Sequence, residues 1–192
     1  GNDFIYMDES FELPLKTRMA GIKQVENACA AVRLLRDCSK EAIKKGIGNA
    51  FVPGRFEVIE QKGRRIIIDG AHNPGAARCL SDNLKKFGIK PVLILGVLKD
   101  KNYAEICRAL CPLSEIVVVT EPRAERRLAK EDLAKEAGIY SSVIIAESLK
   151  DAIEIAKSFE RDICITGSLY LAGEAREILG LAESSEGFMG DF

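Results

Sequence analysis

The amino-acid sequence predicts an α/β fold with a mostly parallel sheet of about six strands. From residue 54 onward, short apolar runs alternate with amphipathic helical patterns, an order typical of layered α/β domains. The runs Val92–Leu95 and Ile116–Val119 are apolar at every position, which suits parallel strands covered on both faces. Lys62-Gly63 lies between two further strand patterns, which adds one antiparallel hairpin strand.

The first 50 residues follow a different pattern. Apolar positions on both sides of Asp8-Glu9-Ser10 predict a short hairpin. Apolar residues at helical spacing predict a helix over 22–36, and a second short helix near 39–46 is expected to end at Gly46 or Gly48. The Pro53-Gly54 turn then indicates a domain edge.

The second region shows strand and helix patterns in alternation after its hairpin. The expected strands are 56–61, 65–69, 91–97, 115–120, 143–146 and 162–166. The expected helices are 74–87, 102–111, 130–137, 149–159 and 169–179. We therefore expect a first region at 1–50, a Rossmann-like three-layer domain at 51–182 and a flexible tail at 183–192.

Composition excludes several classes of partner. The chain has 192 residues, a formal net charge of −1 and 30% charged residues, so no electrostatic argument favours nucleic acid or an anionic membrane. No apolar run spans a bilayer and no secretory signal opens the chain, which predicts a cytoplasmic protein. Six cysteines without a Cys-x-x-Cys pair, and a single histidine, argue against a metal site and predict buried or half-buried reduced thiols.

Polar side chains follow the ends of the predicted parallel strands, where ligands of open α/β sheets bind. The segment that points most clearly to function is Asp69-Gly70-Ala71-His72-Asn73-Pro74, in which Asn73-Pro74 reads as the start of a helix. Later strand ends carry Lys99-Asp100-Lys101, Thr120 with Arg123, and Gly167-Ser168. An acid, an imidazole, cations and a hydroxyl at one edge suit a polar, charged small molecule.

Each of these residues also has an ordinary structural role as an alternative. In this alternative, Asp69 would cap the turn into the helix, His72 would be a solvated loop residue, and Ser168 would be a helix N-cap. In the same way, 99–101 is a solvated loop, and Arg123, Arg126 and Arg127 form a basic surface.

Several nucleotide and hydrolase motifs are absent from the sequence. There is no Gly-x-x-x-x-Gly-Lys-[Ser/Thr] loop, no Gly-x-Gly-x-x-Gly after a strand and no Gly-x-Ser-x-Gly elbow. A phospho-receiver domain is also disfavoured, because no acidic pair precedes Asp69 and the last strand ends in Gly-Ser without a lysine.

Five ordered motifs make the chain resemble the C-terminal domain of folylpolyglutamate synthase and dihydrofolate synthase, in the Mur ligase superfamily. They are Gly21-Ile22-Lys23-Gln24-Val25-Glu26-Asn27-Ala28, Pro53-Gly54-Arg55-Phe56-Glu57, Asp69-Gly70-Ala71-His72-Asn73-Pro74, Gly96-Val97-Leu98-Lys99-Asp100-Lys101 and Thr166-Gly167-Ser168-Leu169-Tyr170. The first of these resembles the end of the family's ATP-binding domain, with Lys23 where the family usually has histidine. The resemblance therefore implies that 1–50 is a remnant of that domain.

The resemblance implies an ATP-dependent ligase that adds L-glutamate to a folate or dihydropteroate carboxylate through an acyl phosphate. Asn27, Arg55 and Asp69 would contact ATP, and His72 and Ser168 would position the glutamate. The family's P-loop and most Mg²⁺ ligands belong to an N-terminal domain that this sequence lacks, so we expect a monomeric partial protein without ligase activity of its own. The alternative is a stand-alone flavodoxin-like module that binds a nucleotide or metabolite.

Overall fold

The computed structural model describes residues 1–9 and 11–181 and divides into two compact units, Gly1–Glu57 and Val58–Phe192. The domain boundary expected after residue 50 stays a prediction, and the tail at 183–192 lies outside the described residues.

The first unit contains a two-stranded antiparallel sheet and two helices. Their bounds are β1 (Asn2–Met7), β2 (Glu12–Thr17), α1 (Ile22–Leu34) and α2 (Lys40–Asn49). The predicted hairpin is confirmed, with Phe4 opposite Leu15 and Tyr6 opposite Leu13. Side chains from all four elements form its apolar core, which includes Leu13, Val32 and Ile43.

The predicted end of the second helix at Gly46 or Gly48 is wrong, because α2 continues through both glycines to Asn49. Ile43 and Ile47 lie one turn apart on the buried face of this helix and belong to the core of the unit. Their burial outweighs the roughly 1 kcal/mol that each glycine costs in a helix interior. Local propensity alone therefore placed the helix end too early.

The second unit follows the predicted alternation of strands and helices closely. Its strands are β3 (Glu57–Gln61, which begins at the boundary residue), β4 (Arg64–Ile68), β5 (Val92–Leu95), β6 (Ile116–Val119), β7 (Ser142–Ile145) and β8 (Ile163–Thr166). Its helices are α3 (Pro74–Lys86), α4 (Tyr103–Leu110), α5 (Lys130–Ala137), α6 (Leu149–Lys157) and α7 (Leu169–Ile178), and a 3₁₀ turn covers Cys111–Leu113.

The six strands form one sheet in the order β3-β4-β8-β5-β6-β7. The pairs from β4 to β7 are parallel, and the β3–β4 hairpin turns at Lys62 and Gly63, which both have positive φ. The predicted α/β sheet of about six strands with one antiparallel hairpin strand is confirmed. The strand β8, the last of the described strands in chain order, thus lies between β4 and β5.

Apolar side chains cover both faces of this sheet. One face packs on α6 and α7, with Ile68, Ile94 and Ile165 in its buried cluster. The alternate strand residues, such as Leu95 and Val119, are also fully buried and face the layer of α3, α4 and α5, because successive side chains in a strand point to opposite sides. Burial on both sides explains why these strands are continuously apolar.

The cysteine prediction holds for five of the six thiols. Cys107, Cys111 and Cys164 are buried, Cys29 and Cys79 are half-buried, and Cys38 is exposed in the turn after α1. A hydrogen bond with Cys111, together with burial, raises the pKa of Cys107 far above its usual range. None of the helices among the described residues has the length and apolar character that crossing a bilayer requires.

Candidate functional site

The carboxyl ends of four neighbouring strands bring the predicted site residues of the second unit to one edge of the sheet. Asp69 follows β4 and its backbone N–H donates to Ile165 of β8 at 3.0 Å. Gly96 follows β5 and donates to Thr166 at 3.2 Å, and Thr120 follows β6 and donates to Leu95 at 3.0 Å. Asp69 and Ser168 therefore lie at the ends of adjacent strands.

A tight turn fixes Asp69 and His72 relative to one another. Asp69 Oδ1 accepts from the Ala71 backbone N–H at 2.9 Å, so one carboxylate oxygen closes the turn. The His72 ring contacts the Gly70 carbonyl oxygen through Nδ1 at 2.8 Å. Because a carbonyl oxygen only accepts, Nδ1 is the donor, and in the uncharged form of such a ring the lone pair lies on Nε2.

The charge of Asp69 acts on the interior of the sheet as well as on its edge. Burial raises the pKa of the Cys164 thiol in β8, and the negative charge of Asp69 raises it further. This is the effect expected of an ionised carboxylate close to a poorly solvated strand. Cys164 therefore remains a neutral thiol beside the candidate site.

The helix that follows this turn begins as the sequence predicts. Asn73 Oδ1 accepts from the Ala76 backbone N–H at 2.9 Å, and Pro74 occupies the first helical position of α3. The side-chain cap satisfies one N–H group of the first turn, while the proline has none to satisfy. The N-terminus of α3 therefore starts directly beside His72.

Gly167 brings α7 against the end of β5. Its φ is +110°, and a Cβ at this position would lie 2.5 Å from the Gly96 carbonyl oxygen. Only glycine fits such a backbone without strain. The N-terminus of α7 is thereby held next to the carboxyl end of the central strands.

Ser168 occupies the N-cap position of α7, which was the structural alternative for this residue. Its Oγ accepts from the Leu171 backbone N–H at 3.0 Å, and its relative exposure is 0%. The hydroxyl therefore orients the first turn of α7 from beneath the surface. The neighbouring Leu169 and Tyr170 side chains are exposed.

The loops after β5 and β6 are joined to each other. The Lys99 backbone N–H donates to the Arg126 carbonyl oxygen at 2.8 Å, and Leu128 donates to Val97 at 2.9 Å. On the surface, Arg126 pairs with Asp100 at 3.1 Å and Arg127 pairs with Glu121 at 2.6 Å. The latter two arginines thus fit the alternative of a basic surface neutralised by nearby acids.

The sequence analysis did not identify Glu174, which is the buried acid of this region. Glu174 lies on the buried side of α7 with 6% exposure, and its Oε1 forms an ion pair with Arg123 Nε at 3.1 Å. A signal was present, because Glu174 interrupts the apolar stripe of Leu171, Ala172 and Ala175. Among the described residues, Glu174 Oε2 and the buried hydroxyls of Thr120 and Thr166 have no hydrogen-bond partner.

Asn27 and Arg55 belong to the first unit. Asn27 is exposed on α1, and its Nδ2 donates to Gln24 Oε1 at 3.3 Å. Arg55 is half-buried in a turn in which the Gly54 backbone N–H donates to Glu57 Oε2 at 2.9 Å. Its guanidinium forms no hydrogen bond or ion pair within the part of the chain that the structure describes, so its donors are available to a ligand.

Comparison with known proteins gives consistent matches. The family profile "Mur ligase, glutamate ligase domain" matches residues 54–169. The dihydrofolate synthase/folylpolyglutamate synthase of Mycobacterium tuberculosis is 34% identical over 166 residues, which are 76% of this chain and 34% of that protein.

Two solved structures agree along nearly the whole chain. The folylpolyglutamate synthase of Thermotoga maritima has a TM-score of 0.81 and 37% identity, covering 96% of this chain and 45% of that one. The M. tuberculosis folylpolyglutamate synthase complexed with ADP has a TM-score of 0.82 and 28% identity, covering 94% and 48%. The chain thus spans between a third and a half of these relatives.

Proposed function

Because the chain belongs to the Mur ligase family through its glutamate ligase domain, we propose that it forms part of an ATP-dependent ligase that adds L-glutamate to a folate or dihydropteroate carboxylate. The relatives named above are dihydrofolate and folylpolyglutamate synthases, and one of them was solved with ADP. The observation that carries the proposal is the adjacency of β4 and β8, which brings Asp69, His72 and the α7 N-terminus to one edge.

The proposed reaction proceeds through an acyl phosphate. The acceptor carboxylate attacks the γ-phosphorus of ATP, and ADP leaves. The glutamate amino nitrogen then attacks the acyl carbon, the carbon–oxygen bond to phosphate breaks, and the nitrogen loses a proton as the amide forms. Holding amine and acyl phosphate together removes an entropic barrier on the order of several kcal/mol, and we assign that orienting role to this chain.

The residues of the second unit divide between the two substrates. Asp69 Oδ1 closes the turn, and we assign the carboxylate to the ribose hydroxyls, as acids do at related strand ends. His72 Nε2 accepts from the glutamate amino group, and Ser168 fixes the first turn of α7, whose free N–H groups favour a carboxylate.

We also assign Arg55 and Asn27 of the first unit to ATP, as the family resemblance implies. Arg55 offers a planar donor fork to phosphate or stacks on adenine, and Asn27 supplies an exposed amide. No three His, Cys, Asp or Glu side chains gather into a metal site in the described ranges 1–9 and 11–181. As the family resemblance implies, Mg²⁺ would be held mainly by the family's N-terminal domain.

Nucleotide binding at the Asp69 turn is the first test. Titration of the ¹⁵N-labelled chain with a non-hydrolysable ATP analogue is expected to shift the backbone signals of residues 69–72. Asp69→Asn should weaken the apparent affinity by about tenfold, the effect of losing about 1.4 kcal/mol. Asp82→Asn, at an exposed position on α3, is the matched control and should leave the affinity unchanged.

Two results of that titration would count against the proposal. Shifts confined to the amino ends of the strands would show that the nucleotide binds elsewhere. Micromolar binding by this chain alone would favour a stand-alone nucleotide-binding module over a partial ligase site.

Ligation itself is tested first with this chain alone and then with the chain substituted for the corresponding part of a relative. We expect this chain to release no ADP when it is mixed with ATP, glutamate and dihydropteroate or a folate. When it replaces the corresponding part of the M. tuberculosis relative, ADP release should depend on both glutamate and the pterin substrate. A soluble exchange protein that binds ADP but does not ligate would contradict the proposed function.

A further inference from the structure

Resting on the proposed function, we infer that Arg123, held in place by Glu174, binds the side-chain carboxylate of the incoming glutamate and so selects a dicarboxylic amino acid. The residue pair lies beside the proposed glutamate site. Arg123 follows Thr120 at the end of β6, and Glu174 lies on α7, the helix capped by Ser168.

The loop that carries Arg123 packs closely on the rest of the edge. A Cβ on Gly96 would lie 3.2 Å from Pro122 Cδ, 3.2 Å from Leu171 Cδ2 and 2.9 Å from the Thr120 carbonyl oxygen. The end of β5 is therefore enclosed between the Arg123 loop and α7. This packing fixes the point from which the Arg123 side chain extends.

Glu174 fixes the other end of that side chain. Glu174 is buried, and a buried carboxylate requires a cation or hydrogen-bond donors. Oε1 forms an ion pair with Arg123 Nε at 3.1 Å. Because this contact is made through Nε, the two terminal NH₂ groups of the guanidinium have no acceptor among the described residues.

The free end of Arg123 is the part that a ligand can reach. Its side chain is 73% exposed, and its terminal donors form the geometry that suits a carboxylate. The neighbouring cations are occupied differently: Arg126 and Lys101 share Asp100, and Arg127 pairs with Glu121. Those three pairs lie at the surface, whereas Arg123, alone among these four cations, pairs with a buried acid.

Helix α7 carries both groups that the inference assigns to the incoming amino acid. Ser168 caps its first turn, and Glu174, six residues further along, is the partner of Arg123.

Paired titrations with L-glutamate and L-glutamine test this inference. The two amino acids share the amino group and the α-carboxylate, but glutamine lacks the side-chain charge. The labelled chain is expected to bind glutamate about tenfold or more tightly, and the Arg123 Nε–H signal should shift only with glutamate. Arg123→Met should abolish the preference, whereas Arg126→Met, which removes a surface arginine paired with Asp100, should retain it.

Arg123→Lys is a second variant that separates loss of recognition from loss of folding. It is needed because Arg123→Met leaves the buried Glu174 without its ion-pair partner. The lysine keeps a positive charge beside Glu174 but lacks the fork, so it should also lose most of the preference while the thermal midpoint stays unchanged. A wild-type chain without any preference, or a preference retained in both Arg123 variants, would overturn the inference.

Glu174 acts as a positioning residue and has its own readout. Glu174→Ala should reduce the preference and speed solvent exchange of the Arg123 Nε–H, and Glu174→Gln, which keeps an acceptor oxygen, should restore most of both. Slow exchange together with full preference in Glu174→Ala would exclude this role.

The nucleotide titration separates the two proposals. If the ATP analogue shifts residues 69–72 but the preference does not depend on Arg123, this inference fails and the ligase assignment stands. If the glutamate preference depends on Arg123 but no nucleotide binds at the edge, the ligase assignment fails instead.

Discussion

Gly167→Ala is expected to lower the free energy of unfolding by about 3–5 kcal/mol. At a φ of +110°, a side chain costs on the order of 1–3 kcal/mol in backbone strain alone. The added methyl group would also lie 2.5 Å from the Gly96 carbonyl oxygen, so either β5 or the start of α7 must move. Urea denaturation followed by far-UV circular dichroism measures the loss.

Gly173→Ala is the matched control for that substitution. Gly173 lies within α7, and a Cβ there would meet nothing within 4 Å. Alanine should therefore stabilise the chain by up to about 1 kcal/mol through helix propensity. Equal effects of the two alanines would show that the contact between Gly167 and Gly96 is unimportant.

Asp162→Ala is expected to cost about 2–4 kcal/mol at neutral pH, because Asp162 holds β4 and β8 together from a mostly buried position. Its Oδ1 accepts from the Arg65 backbone N–H at 2.8 Å. Its Oδ2 accepts from Arg65 Nε at 3.1 Å and from Nη2 at 2.6 Å. The variant leaves these donors, including a main-chain N–H, without their acceptor.

The cost of Asp162→Ala should also depend on pH. Burial alone would raise the pKa of Asp162, but the hydrogen bonds and charge of Arg65 outweigh it and hold the pKa below its usual value. The unfolded carboxyl group titrates near 3.9, so the stabilisation is complete well above that pH and is lost as the pH falls through the lower folded pKa.

Unfolding curves of wild type and Asp162→Ala should therefore converge in acid. Asp82→Ala, at an exposed site, should follow the wild-type curve at every pH. A difference between wild type and Asp162→Ala that stays constant from neutral pH to about pH 3 would contradict the ionic character of this contact.

Local patterns in the sequence were sufficient to predict the elements of the second unit. The N-cap at Asn73, the turn at Lys62-Gly63 and the continuous apolar strands all depend on neighbouring residues, and each appears in the structure. The end of α2 was missed because the burial of Ile43 and Ile47 is a tertiary effect. The order of the strands could not be predicted either, because the pattern of a continuously apolar strand does not identify its neighbours in the sheet.

The candidate site, too, was predictable where it depends on local sequence and not where it depends on tertiary packing. The position of Asp69 and Ser168 at one edge follows from parallel strands and could be predicted. The complete burial of Ser168 and the pairing of Glu174 with Arg123 depend on how α7 packs. A helical glutamate is ordinarily solvated, so its place within an apolar stripe was a weak indication that Glu174 is buried.

The place of β8 between β4 and β5 has a consequence for synthesis of the protein. During translation the β3–β4 hairpin and the block of β5, β6 and β7 leave the ribosome without a strand to join them, because Ile66 and Val92 both pair with Ile163. At elongation rates of about 5–20 residues per second, the apolar edges of β4 and β5 remain unpaired for seconds before β8 has been synthesised. The nascent chain should therefore depend on chaperone protection until its last strand has been made.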